Sequence, residues 1–334
     1  MHTESKKQAF SIVFPAALIL LAATFTLALS AGAAQIPFRD VMRAIFTQET
    51  GESLLIIREI RLPREIGAAV VGAALATAGA LMQGMTRNPL ADPGLLGLTA
   101  GANAALAVTI AFIPGTNYFT IMIACFIGAA AGGSLVFGIS RVRRGPMSSF
   151  RIVLAGAAVS AFLQAAAEGI GLMFRISQEV SLWTAGGLLG TNMNQLQLVV
   201  PVIGIGLLIA LLLSRQVTIL SLNEEVAAGL GQHTEQVKAV LFVTVILLTG
   251  ASVALAGNLA FIGLMVPHIV RAVAGTDYRF VIPLSAIAGA IFMLLADTLG
   301  RTIHAPYETP VAAIIAIIGL PFFLWVVRKG GRGY

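Results

Sequence analysis

Apolar residues come in ten runs along this chain, near 13–34, 66–85, 95–113, 119–140, 152–174, 197–213, 239–257, 259–274, 281–300 and 307–327. Each approaches the roughly 20 residues that a helix needs to cross a hydrocarbon core about 30 Å thick. The polar segments between them are short, and none is long enough to build a soluble domain. The pattern therefore predicts one all-α integral-membrane unit over 1–334 with about ten transmembrane helices. The eighth run is the least regular, because Pro267, His268 and Arg271 interrupt it. The N-terminal run, behind Lys6 and Lys7 and ahead of Ala31-Gly32-Ala33-Ala34, imitates a secretory leader. Its length fits a span better than a signal core, so it is read as an uncleaved first helix.

Composition agrees with the pattern. Hydrophobic residues make up 57% of the chain and charged residues 11%, and the mean hydropathy is +0.91, values no water-facing fold could carry. The net charge of +6 needs no nucleic acid to explain it once it is distributed over the loops. With both termini inside, Arg39, Arg43, Arg58, Arg61, Arg64, Arg175 and Arg301 face outward. The other lysines and arginines, Arg143, Arg144, Arg328 and Arg332 among them, face inward, in the sense of the positive-inside rule. The one cysteine, Cys125, lies within a run and reads as a packing residue.

Chemistry is sparse. None of the four lysines precedes Ser or Thr, so a phosphate-binding loop of the usual kind is absent and ATP hydrolysis would have to come from another subunit. The histidines are too scattered for a metal site, and no catalytic constellation or cofactor site emerges. Asp297 and Arg301, one helical turn apart, read as a local ion pair. Glu168 is the main acid inside a run, either lining a pathway or paired with Arg175 or solvated. An ion-gradient-driven secondary transporter would need more such groups, and their scarcity points to an external energy source. Gln83, Asn103, Gln164 and Met173 join Glu168 as candidate pathway-lining groups, although helix packing explains each as well.

Three local features ask for partners. Arg61 and Arg64 sit at the mouth of the small-residue run 66–85, whose other end is broken by Asn88, Pro89, Asp92 and Pro93. Exposed there, they could steer an acidic partner, or snorkel to the interface. The polar segment 221–238 would form a short surface helix, capped by Ser221 or Asn223 with Glu224 and Glu225 in its first turn. Its small apolar face would be Val226, Ala227, Ala228 and Leu230. Finally, GAALATAGAL at 72–81 and GASVALAGNL at 250–259 match at an offset that also carries Pro89 onto Pro267. That is compatible with an inverted repeat and equally with the abundance of Ala and Gly.

The ordered set RLPR (61–64), GALMQGMTRNPLADPGLLG (79–97), EVAAGLG (225–231), AFIGLMVPHIVR (260–271), ADTLGR (296–301) and ETPVAAIIAIIGLPFF (308–323) resembles the FecCD-type permeases over essentially the whole chain. The resemblance implies a type II ABC importer permease of the bacterial cytoplasmic membrane. Such a permease pairs as a homo- or heterodimer, with two separate ATPase subunits that use ATP-Mg and an extracytoplasmic substrate-binding protein. It carries Arg61, Arg64 and Arg301 over as the binding-protein docking residues, and Glu224, Glu225, Ala228, Gly229, Leu230 and Gly231 as the ATPase coupling loop. It implies an iron(III)–siderophore as cargo, with haem or vitamin B12 as alternatives.

Overall fold

A computed structural model describes residues 2–32, 36–141, 149–222 and 224–330. Ala33, Ala34, Arg143, Arg144, Asn223 and Arg332 lie outside the described residues. The described chain is helical, without strands: α1 (His2–Ser30), α2 (Phe38–Phe46), α3 (Glu52–Leu55), α4 (Leu62–Thr86), α5 (Leu98–Phe112), α6 (Tyr118–Arg141), α7 (Ser149–Met173) and α8 (Ser177–Thr184) form the first half. The second half is α9 (Met193–Leu212), α10 (Ser214–Leu222), α11 (Glu224–Gly229), α12 (Thr234–Ala256), α13 (Ile262–Ala274), α14 (Tyr278–Thr302) and α15 (Val311–Gly330).

Eight of the described helical stretches are long and apolar enough to cross a membrane, and two shorter apolar helices accompany them. The third and eighth runs form the shorter helices α5 and α13, of 15 and 13 residues. At 1.5 Å per residue neither reaches across a 30 Å core. Pro267 is not what shortens α13, since the helix runs straight through it. The helix begins late because residues 257–261 are non-helical, with Gly257 and Phe261 both at positive φ (68° and 70°).

Pro267 still removes one hydrogen bond, the one its missing N–H would have given to the carbonyl of Gly263. Gln83 of α4 supplies the replacement: its Nε2 donates to Gly263 O at 3.0 Å and to Leu264 O at 3.3 Å. Gln83 is buried and joins α4 to α13, in keeping with the helix-packing alternative for this residue.

The turn 87–97 between α4 and α5 is non-helical, yet Asn88, Ala91, Asp92, Pro93, Leu96 and Gly97 in it are buried. Arg87 ends α4 in the left-handed region at φ 53°. Asn88 Oδ1 accepts from Leu90 N at 3.0 Å. Asp92 Oδ1 accepts from Gly94 N at 2.7 Å and Leu95 N at 3.3 Å. The Asp92 carboxylate also takes the N–H of Leu264 in the first turn of α13. One buried acid thus ties the turn before α5 to the first turn of α13.

The centre of the fold is an antiparallel pair, α4 against α14. Gly72 and Gly289 meet backbone to backbone, and a methyl group on either would collide with the other's carbonyl. A methyl group on Gly79 would likewise collide with the carbonyl of Gly263 in α13. Close backbone approach of this kind is how helices associate where lipid offers no hydrophobic drive. α1 packs on α14, while α5, α6 and α7 form a neighbouring group joined through α12. The two sequence copies at 72–81 and 250–259 differ in structure. The first lies wholly inside α4, whereas the second leaves helix after Ala256, and Pro89 lies in a turn while Pro267 lies within α13.

Candidate functional site

At one end of the α4–α14 pair the three arginines singled out in the sequence come together, but not as exposed cations. Arg61, Arg64 and Arg301 are 6%, 7% and 7% exposed. The polypeptide itself accounts for their positive charge. A π-helical segment, Ile56–Arg61, leads into α4 and places Arg61 beside the C-terminus of α1. There Arg61 Nη1 donates to the carbonyls of Leu29 and Ser30 at 2.8 and 3.0 Å. Arg301 donates to the carbonyls of Ala28 and Ala31 at 3.2 and 3.1 Å. The last carbonyls of a helix have no intrahelical donor and carry its negative dipole end, so two guanidinium groups are a natural cap.

Carboxylates complete the cluster. Asp297, fully buried, accepts from Arg64 Nε (3.1 and 3.0 Å) and Nη2 (3.0 Å) and from Arg301 Nε (3.0 Å). The expected Asp297–Arg301 pair is therefore present and extends to a third member across the helix pair. Glu65, fully buried, accepts from Arg301 Nη2. Glu308, on the segment between α14 and α15, takes a two-pronged grip on Arg64: Nη1–Oε1 2.8 Å and Nη2–Oε2 2.9 Å. Three arginines and three acidic side chains thus meet in one cluster. Sequence reading missed Glu65 and Glu308. The signal for Glu65 was its place beside Arg64 at the start of an apolar run, where an acid is costly without a partner.

At the opposite end of the pair, Gly84 of α4 lies against Val217 of α10 and Tyr278 of α14. Asp277 caps α14, accepting from Arg279 N at 3.0 Å. The Arg279 guanidinium and the Thr218 hydroxyl hold its carboxyl below the usual carboxylate range, against the opposing effect of burial. Thr218 of α10 sits between, donating to Asp277 Oδ1 at 3.2 Å and accepting from Tyr278 N at 2.9 Å. α10 is thereby fastened to the ends of both central helices.

α11 follows α10 directly and contains the expected coupling residues Glu224, Glu225, Ala228 and Gly229, with Leu230 and Gly231 in the turn after it. Leu230 is 67% exposed and Val226 46%, and Ala228 and Gly229 are also exposed. Ala227 points the other way and is fully buried, so it belongs to the inner packing and not to the outer apolar face. Ser221 does not cap α11; it is part of α10, and its hydroxyl donates to Thr218 O at 2.7 Å.

The expected pathway residues divide. Asn103, Gln164 and Glu168 line one small cavity of about 10 Å³ with Thr184 and Asn258, room for about a single water. Gln164 Nε2 donates to Glu168 Oε1 at 3.4 Å, and among the described residues no ion pair joins Glu168 to Arg175. Met173, 81% exposed at the end of α7, is not part of this cavity, and neither is Gln83.

The family model of the FecCD transport family matches residues 20–329. The chain is 45% identical to the iron(3+)-hydroxamate import system permease protein FhuB of Bacillus subtilis, over 96% of its own length and 84% of that protein. It is 41% identical to the Fe(3+)-citrate import system permease protein YfmD of the same organism, over 99% of both. Among solved structures it resembles a metal-chelate-type ABC transporter in an inward-facing conformation, with a TM-score of 0.81 and 26% identity over 96% of this chain and 99% of that one.

Proposed function

The chain belongs to the FecCD transport family, and on that premise we propose that it is the permease subunit of an ABC importer that moves an iron(III)–siderophore across the bacterial cytoplasmic membrane. Its termini face the cytoplasm, and it pairs with a second permease subunit within the lipid. An extracytoplasmic binding protein docks on the Arg61, Arg64 and Arg301 end. Two ATPase subunits, which bind and hydrolyse ATP-Mg, grip α11 at the other. The iron chelate is the cargo; the relatives named for ferric hydroxamate and ferric citrate support that class.

The observation that carries this reading is the α4–α14 pair, which has the arginine cluster at one end and α10, with α11 attached, at the other. Both central helices run the full distance, packed together at Gly72 and Gly289. Force applied to α11 passes through α10 to Asp277 and Gly84, and so to both helices at once. Docking at the far end and nucleotide-driven closure at the near end then bias one two-state element. Each must change the other's affinity by the same factor.

A direct test is co-purification. Leu230→Glu places a charge in the exposed apolar face of the coupling loop and is expected to lose the ATPase subunit while the permease itself stays folded. Retention of a stoichiometric ATPase in that variant would remove α11 from the interface. For the cargo, uptake of radiolabelled ferric hydroxamate should be competed by unlabelled ferric hydroxamate and not by haem or cobalamin. Competition by haem or cobalamin instead would reassign the substrate and leave the mechanics unchanged.

A further inference from the structure

Of the groups in the arginine cluster, Glu308 is the one that reaches the surface. Asp297 and Glu65 are fully buried between the helices. The Glu308 side chain is 32% exposed, and residues 302–307 on the same segment are all exposed. We propose that Glu308 occupies, in the undocked permease, the place that a carboxylate of the binding protein takes on Arg64, so that docking is an exchange of carboxylates and not an encounter with free cations. The proposal rests on the docking reading above and specifies how it operates.

Donor geometry supports the exchange. Arg301 is held by Asp297, Glu65 and the carbonyls of Ala28 in α1 and Ala31 just after it. Arg64 divides its guanidinium between Asp297 on the inside and Glu308 on the outside. Releasing Glu308 therefore frees one edge of Arg64 while Asp297 keeps it in position. Such a planar edge matches an incoming carboxylate with two parallel bonds. The release does not require the segment to unfold, because the next residue is fastened independently: Thr309 N donates to Gly300 O at 2.9 Å.

Charge gives the exchange a second effect. Closed, the cluster presents Arg64 with its outer edge already taken by Glu308, so a partner without a matching carboxylate finds no free donor pair there. With Glu308 swung out, the internal charge rises by one and attracts the acidic partner only when Glu308 is displaced. That arrangement favours specificity over indiscriminate attraction of anions, since the competing carboxylate must do better than the resident one.

The test uses the assembled transporter in lipid nanodiscs and the extracytoplasmic binding protein that stimulates its ATP hydrolysis. Association rates are measured at low and high salt for wild type, Glu308→Gln, Arg64→Gln and the double variant. Glu308→Gln is expected to accelerate association about threefold or more and to steepen its salt dependence. Arg64→Gln should weaken docking, and in its presence Glu308→Gln should give no acceleration. If Arg64→Gln leaves affinity unchanged, the docking reading fails and the exchange with it. If Arg64→Gln weakens docking while Glu308→Gln leaves association unchanged or slower, docking stands and the exchange is overturned. Glu308→Asp, which keeps the charge but shortens the reach to Arg64, should also accelerate association and serves if the Gln variant does not assemble.

Discussion

Asp297 shows most clearly what a single residue does here. Two guanidinium groups converge on one fully buried carboxylate, and removing it would leave Arg64 and Arg301 each without one of its two carboxylate partners. Breaking a buried ion pair from one side costs about 3–5 kcal/mol, so Asp297→Ala should lower the melting temperature of the detergent-solubilised protein markedly; an unchanged melt would show that the cluster carries no stability. Asp92 makes a separate prediction. Burial pushes its carboxyl up to about 6, although the N–H groups of Gly94, Leu95 and Leu264 pull the other way. A carboxyl whose folded pKa exceeds its unfolded one favours the fold while protonated. Its contribution is full below the ordinary carboxylate range and is lost as the pH rises through about 6. Melting temperature measured across that window should fall with rising pH, and Asp92→Asn should flatten the slope. An identical slope in the variant would assign it to another group.

Among the elements, the long helices were legible because a run of about 20 apolar residues has few other uses. The two short helices were not, since their apolar runs extend into buried turns. Hydropathy cannot tell a buried turn from a helix. The Gln83–Pro267 relation was illegible for another reason. A proline inside an apolar run signals a break, and only the fold reveals that a glutamine 184 positions away replaces the lost donor at Gly263. Gln83→Leu should therefore leave that carbonyl unsatisfied at a cost of about 1–3 kcal/mol, read as a lower melting temperature. No loss would mean that the proline break is tolerated unaided. The amphipathic helix α2 falls between the apolar runs, where their pattern does not mark it. It is short, and its buried residues Val41 and Ala44 pack with Leu29, Ile36, Leu54 and Ile57 in a small cluster of their own.

At the scale of the molecule, the sequence placed arginines and coupling loop at opposite ends through charge and resemblance, but gave no hint that one antiparallel helix pair joins them. The contacts that do so, Arg64 with Asp297 and Gly72 with Gly289, are separated by more than 200 positions and follow from no local pattern. They also change what the arginines are. Groups expected to be exposed cations at a helix mouth are instead the buried, carboxylate-paired end of the α4–α14 pair. The central claim is that this element is worked by ATP and not by an ion gradient. Uptake of ferric hydroxamate into proteoliposomes holding the permease, its ATPase and its binding protein tests that claim most directly. Uptake should require ATP on the ATPase side, stop with vanadate and continue when an uncoupler collapses the proton gradient; uptake that persists without ATP and stops with the uncoupler would contradict it.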